Sequence, residues 1–141
     1  MSRTAFSVYP EGVTPVHSEF HYKEAVVLVL TGPVEARNYN VVFERHDNIV
    51  YLHFADASVI NSDTAAVITL TGVPVRYRPT TAQNYTHAGQ RQVSDIMRAY
   101  NFHGIVGISG TMLIQDPQEV NGRIPAGGIV IGETTVIYYL D

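Results

Sequence analysis

Residues 48–57 read NIVYLHFADA. In an extended chain Ile49, Tyr51 and His53 fall on one side, and Val50, Leu52 and Phe54 on the other. A wholly apolar row beside a mixed row marks a strand with one face in a core. The run before it, NYNVVFERHDN (38–48), closes on His-Asp-Asn, a composition suited to a tight turn. Together the two runs predict a β-hairpin.

The same signal extends in both directions. AVVLVLTG (25–32) is continuously apolar and closed by Thr-Gly, which predicts a strand buried on both faces. TAAVITLTGVPV (64–75) is a further β-rich run. GIVGISGTMLIQ (104–115) reads as two short strands around Gly107 and Gly110, and GGIVIGETTVIYYLD (127–141) as two more. Between them, DPQEVNGR (116–123) carries Asp-Pro and Asn-Gly turn signals. About eight strands result, spaced near the 8–12 residues of all-β sandwiches and barrels. Residues 1–24, with Pro10, Gly12 and Pro15, read as an extended lead-in, and residues 25–141 as one β domain. The short lead-in is what a piece of a longer protein would show. In HAGQRQVSDIMRAYN (87–101), Val93, Ile96, Met97 and Tyr100 stand at helical spacing, so this stretch fits either a strand or a short helix. The final run, TVIYYLD, is apolar on both faces, which predicts a strand central in a sheet or held at a subunit contact.

Composition narrows the function. A chain of 141 residues favours one domain, and this size buries about 68–70% of the surface its unfolded form exposes. Only 16% of residues are charged, and Lys23 is the single lysine. Charge coats solvated surface, so its scarcity points to surface hidden in a homo-oligomer. The net charge of −4 argues against nucleic acid or an anionic membrane as partner. No run of apolar residues is long enough to span a bilayer, and MSRTAFSVYPEG lacks the apolar core of a signal peptide. Without cysteine the chain forms no disulfide and no zinc–thiolate site, consistent with assembly in a reducing cytoplasm.

Few motifs carry chemistry. HSEFH (17–21) would point His17, Glu19 and His21 to one side of a strand, the donor set of a cupin-like metal site. No further histidine follows the glycines of IPAGG (124–128), so no metal or other cofactor is expected. GISGT (107–111) lacks the spacing of a nucleophile elbow, since Gly110 follows Ser109 directly. No phosphate-binding loop is present, and the chain reads as a non-enzyme. RYRPTTAQNYTHAGQRQ (76–92) reads instead as a long polar, tyrosine-bearing loop. Arg76, Asn84, Tyr85, His87 and Arg91 are its candidate receptor contacts, combining broad aromatic area with hydrogen-bonding groups.

One corner ties these runs together. LTGVPVRYRP (70–79) ends a β run on Pro74, Tyr77, Arg78 and Pro79. Gly104, Gly107 and Gly110 follow in the next strand pair, and Val136 to Tyr139 close the chain. Upstream, Val42, Phe43, Arg45, Val50 and Leu52 form a first hairpin. This order resembles the head or tip domains of bacteriophage and viral tail fibres and spikes. Many of these carry a P-x-x-Y-R-P-like corner, a G-x-I-x-I-x-x-x-G strand pair and a final strand ending in tyrosine. Asp47-Asn48 stands where the first hairpin of such domains commonly has glycine.

The resemblance covers roughly residues 33–140. It implies an antiparallel, jelly-roll-like β-sandwich similar to C1q and tumour-necrosis-factor heads, packed as a homotrimer at the tip of a virion fibre. It implies a receptor-binding role towards a host-surface glycan or protein, and a scaffold role for the Tyr77-Arg78-Pro79 corner, in which proline sets the chain direction and arginine pairs with oxygen acceptors. Two other readings share the β fold: a structural capsid or decoration protein that binds no receptor, and a cupin-like metal protein.

Overall fold

The structure, a computed structural model, describes residues 21–54, 58–131 and 133–141. His17 and Glu19 of the candidate metal set lie outside them. The described residues hold ten strands: β1 (His21–Thr31), β2 (Arg37–His46), β3 (Ile49–Phe54), β4 (Ser58–Ser62), β5 (Ile68–Thr71), β6 (Gln83–Val93), β7 (Ile96–Val106), β8 (Thr111–Gln115), β9 (Gly127–Ile131) and β10 (Thr134–Tyr139). The all-β, antiparallel expectation holds. Two strands more than expected appear, because β4 has no clear alternation of its own and the polar composition of β6 reads as a loop.

All ten join in one sheet, in the order β10-β3-β2-β1-β5-β8-β7-β6-β9-β4. The sheet curls into a half-barrel, and β10 is an edge strand, not a central one: it pairs with β3 alone, and packing across the half-barrel against β6 buries Val136 and Tyr138 in place of a second strand neighbour. Two walls therefore face one core, in the manner of a sandwich. Leu28, Phe43, Leu52, Phe54 and Tyr138 enter from the first wall; Leu70, Phe102, Met112, Ile114 and Ile131 enter from the second. Each such side chain contributes about 1.5–3 kcal/mol by leaving water.

The hairpin at 38–54 is as its alternation predicts. Asp47 and Asn48 make the turn, with Asp47 at φ 55°, a left-handed conformation that Asp tolerates better than most residues. Val50, Leu52 and Phe54 are the buried row.

Two local expectations change. Residues 87–101 form no helix; they are the paired ends of β6 and β7, which turn at Ser94 and Asp95. Val93, Ile96 and Met97, whose spacing matches a helix, all stay partly exposed at that hairpin tip. They line no core, so nothing in the fold rewards a helical stripe there. β1 is also buried on one face only. Leu28 and Leu30 point inward, whereas Val27, at 55% exposure, and Val29 point out. It also begins at His21, inside the stretch that reads as lead-in.

The proline corner is a hydrogen-bonded knot. Pro74 precedes a 3-10 turn, Val75–Tyr77. The Tyr77 ring is fully buried and stacks on Phe43, centroids 4.4 Å apart. Its hydroxyl donates to Glu24 Oε1 at 2.5 Å, and its carbonyl accepts from the Tyr138 hydroxyl at 2.7 Å. Arg78 Nε donates to the Val73 carbonyl at 2.8 Å and lies over Gly110, whose φ of 90° requires glycine. The corner thus joins β1, β2, β10 and the β7–β8 turn.

Candidate functional site

The five candidate contacts do not converge on one loop. Residues 83–92 belong to β6, so strand alternation sends their side chains to opposite faces. Tyr85 and His87 point into the core: Tyr85 is buried, and His87 has no exposed surface at all. His87 packs edge-on against Phe54, centroids 4.5 Å apart, and neither ring nitrogen makes a hydrogen bond. Burial pushes its pKa down to about 4. Neither residue can reach an external ligand, because the register that pairs β6 with β7 turns both inward. Asn84, on the outer face, lies 3.1 Å from His103 Nε2. Arg76 is 3-10 turn, not loop, and its Nε donates to Glu24 Oε1 of β1 at 2.7 Å. The paired charges and the Tyr77 hydroxyl hold the Glu24 carboxyl below its ordinary range.

Arg91 is different. β6 and β7 pair along their whole length, but β8 stops at Gln115, opposite His103. Among the described residues, the edge of β7 from Ile96 to Phe102 therefore has no second strand beside it. The β8–β9 connection turns beside that edge, and Asp116 anchors it. Asp116 is 1% exposed, and its carboxylate accepts from Arg91 Nη1, from the Tyr100 hydroxyl and, at 3.0 Å, from the Gln118 backbone N–H. The Arg91 guanidinium lies 5.0 Å from the Tyr100 ring centre. Burial, reinforced by the Asp116 carboxylate, pushes the Tyr100 hydroxyl up to about 12, so it remains a donor.

Beside this knot opens a concave pocket of about 290 Å³, lined by Ala99, Tyr100, Asn101, Pro117 and Gln118. The side-chain amides of Asn101 and Gln118 are exposed and make no hydrogen bond among the described residues. The turn signals in DPQEVNGR and the polar Tyr-Asn pair are each visible in sequence. Their meeting is not, because it depends on where β8 ends.

A second feature covers the outer face of β10-β3-β2-β1. The register aligns Tyr139, Ile49, His46 and His21 in one row; Ile137, Tyr51, Glu44 and Lys23 in the next; and Thr135, His53, Val42 and Ala25 in a third. Val27 follows, opposite Asn40. Glu44 is the hub: its carboxylate lies 2.8 Å from His46 Nε2 and 3.0 Å from His53 Nε2. These contacts hold the Glu44 carboxyl below its ordinary range. The His21 ring lies 4.0 Å from that of His46. Among the described residues, no three His, Asp or Glu side chains are placed to share a metal ion.

No protein-family model matches the chain, and no curated protein does. Among solved structures it is similar to a reovirus attachment protein, sigma1, solved in complex with alpha-2,3-sialyllactose. The TM-score is 0.57 at 13% identity, over 84% of this chain and 64% of that one. The chain thus spans less than two thirds of that protein's solved length. At this identity the likeness is one of fold.

Proposed function

We propose that this chain is a non-enzymatic attachment head: a fibre-tip domain of a virion, assembled in the host cytoplasm, that binds a glycan or protein on the host surface. The observation that carries this reading is an open pocket with unused hydrogen-bonding groups, set on a fold like that of a viral attachment protein. Asp116 holds Tyr100 and the loop in place before any ligand arrives, which lowers the ordering cost of binding.

The head is a homotrimer in this reading. The outer wall of β10-β3-β2-β1 bears Val27, Val29, Ile137 and Tyr139, all exposed, around a cluster in which Lys23 and Glu44 cancel. A face near neutrality is where copies of a chain with net charge −4 can meet without repulsion. Three copies on one fibre multiply a weak single-site affinity by raising effective concentration.

The test is adherence of the labelled, purified chain to host cells. Saturable adherence that the paired change Asn101→Ala and Gln118→Ala removes, with the fold intact, supports the reading. The same exposed wall would also serve a structural particle component. A folded trimer that adheres to no cell favours that second reading.

A further inference from the structure

We propose that the pocket beside β7 takes an uncharged sugar ring, held by the amides of Asn101 and Gln118 against the rings of Tyr100 and Pro117. The inference rests on the attachment reading and names the ligand class at that site.

Charge decides first. The two charged groups beside the pocket are consumed by each other: Asp116 is filled by three donors, and Arg91 is its ion-pair partner. Neither lines the pocket, and none of the five lining residues is charged. Arg98 is exposed one residue before Ala99 but is not part of the lining, and Glu119 follows Gln118 on the loop. A carboxylate placed here would give up water without meeting a cation among the lining residues, and the flanking Arg98 and Glu119 offset one another. An acidic sugar is therefore a poor occupant.

Hydrogen-bonding capacity decides next. Each free amide offers donors and an acceptor side by side, the pattern that neighbouring sugar hydroxyls match. Pro117, exposed, supplies a ring surface for the C–H face of a sugar, and Tyr100, with Arg91 over its ring, Phe102 packed against it and its hydroxyl committed to Asp116, adds apolar ring edge. The unpaired edge of β7 adds backbone groups at the pocket wall. Size agrees: about 290 Å³ sits at the small end of ligand pockets, which run from roughly 300 to 1,000 Å³. That is room for one ring, with the rest of a glycan leading into solvent.

The experiment titrates the isotope-labelled whole chain with four methyl glycosides, those of galactose, glucose, mannose and N-acetylglucosamine, and with the methyl glycoside of sialic acid. Amide shifts are followed at matched concentrations. At least one neutral glycoside is expected to move Ala99, Tyr100, Asn101 and Gln118, with an affinity indifferent to salt. The Asn101→Ala, Gln118→Ala pair is expected to weaken it about tenfold or more, with Tm unchanged. Shifts confined to the sialoside, or mapping to another face, overturn the proposal. So does silence from all five sugars. Silence with cell adherence retained leaves the attachment reading standing on a different ligand, whereas silence with no adherence removes both.

Discussion

Tyr85 lies directly opposite Gly104 in the β6–β7 register, and its ring occupies the space a side chain at Gly104 would need. A Cβ at that position would sit 2.1 Å from Tyr85 Cζ. The glycine is thus a packing requirement of a buried tyrosine. Gly104→Ala is expected to cost about 1–3 kcal/mol, because the ring must leave its place in a filled core. Urea unfolding would show a lower midpoint at unchanged slope; an unchanged midpoint would refute it. Tyr85→Phe is expected to be neutral or to stabilise, since the Tyr85 hydroxyl is buried without a partner.

Asp116→Ala removes the acceptor shared by Arg91, Tyr100 and Gln118. It leaves a mostly buried guanidinium without its ion-pair partner, at an expected cost of about 2 kcal/mol. Hydrogen exchange should rise first in residues 116–122, the segment the carboxylate anchors. Equal loosening of every strand would show that Asp116 holds no particular loop.

His87 is expected to make the fold acid-sensitive. Its folded pKa of about 4 lies below the ordinary value near 6.5, so the unfolded chain takes up the proton first. The stability it supports is complete above about pH 6.5 and falls as the pH drops towards 4, by about 1.4 kcal/mol per unit. Below that the folded form also protonates and the loss levels off. His87→Leu should flatten this part of the profile; unfolding at pH 7.5, 6 and 5 for both proteins measures the difference. Parallel profiles would dismiss the histidine as the cause.

The exposed wall yields a separate test. Val27→Glu and Ile137→Glu each place a charge where the side chain is at least half exposed, at 55% and 50%. Both should leave the subunit folded, because surface changes usually cost within about 0.5 kcal/mol. Sedimentation should then show monomers in place of trimers. A wild-type chain that is monomeric at micromolar concentration would refute the trimer outright.

The alternation at 49–54, the turn at Asp47-Asn48 and the closing run at 134–139 are legible in sequence because each is local. Period-two burial and a turn composition need no knowledge of distant residues. The stretch at 87–101 is not, because its apolar residues fit two periods and only the pairing of β6 with β7 selects one. Tyr85, His87 and Arg91 stand out in sequence as unusual residues, but their polar neighbours disguise a strand as a loop. Two are inside and one is locked in an ion pair.

From its own order of residues, then, this chain determined that its described part would be all-β, with hairpins turning where Asp-Asn and glycine signals stand. The fold alone decided which faces of β1 and β6 are hidden and that Tyr100, Asn101, Pro117 and Gln118 meet at one opening. The physical reason is register. Shifting a strand by one residue exchanges its two faces, and register here is set by partners as far apart in the chain as Val29 and Thr71, or Gly89 and Ile131.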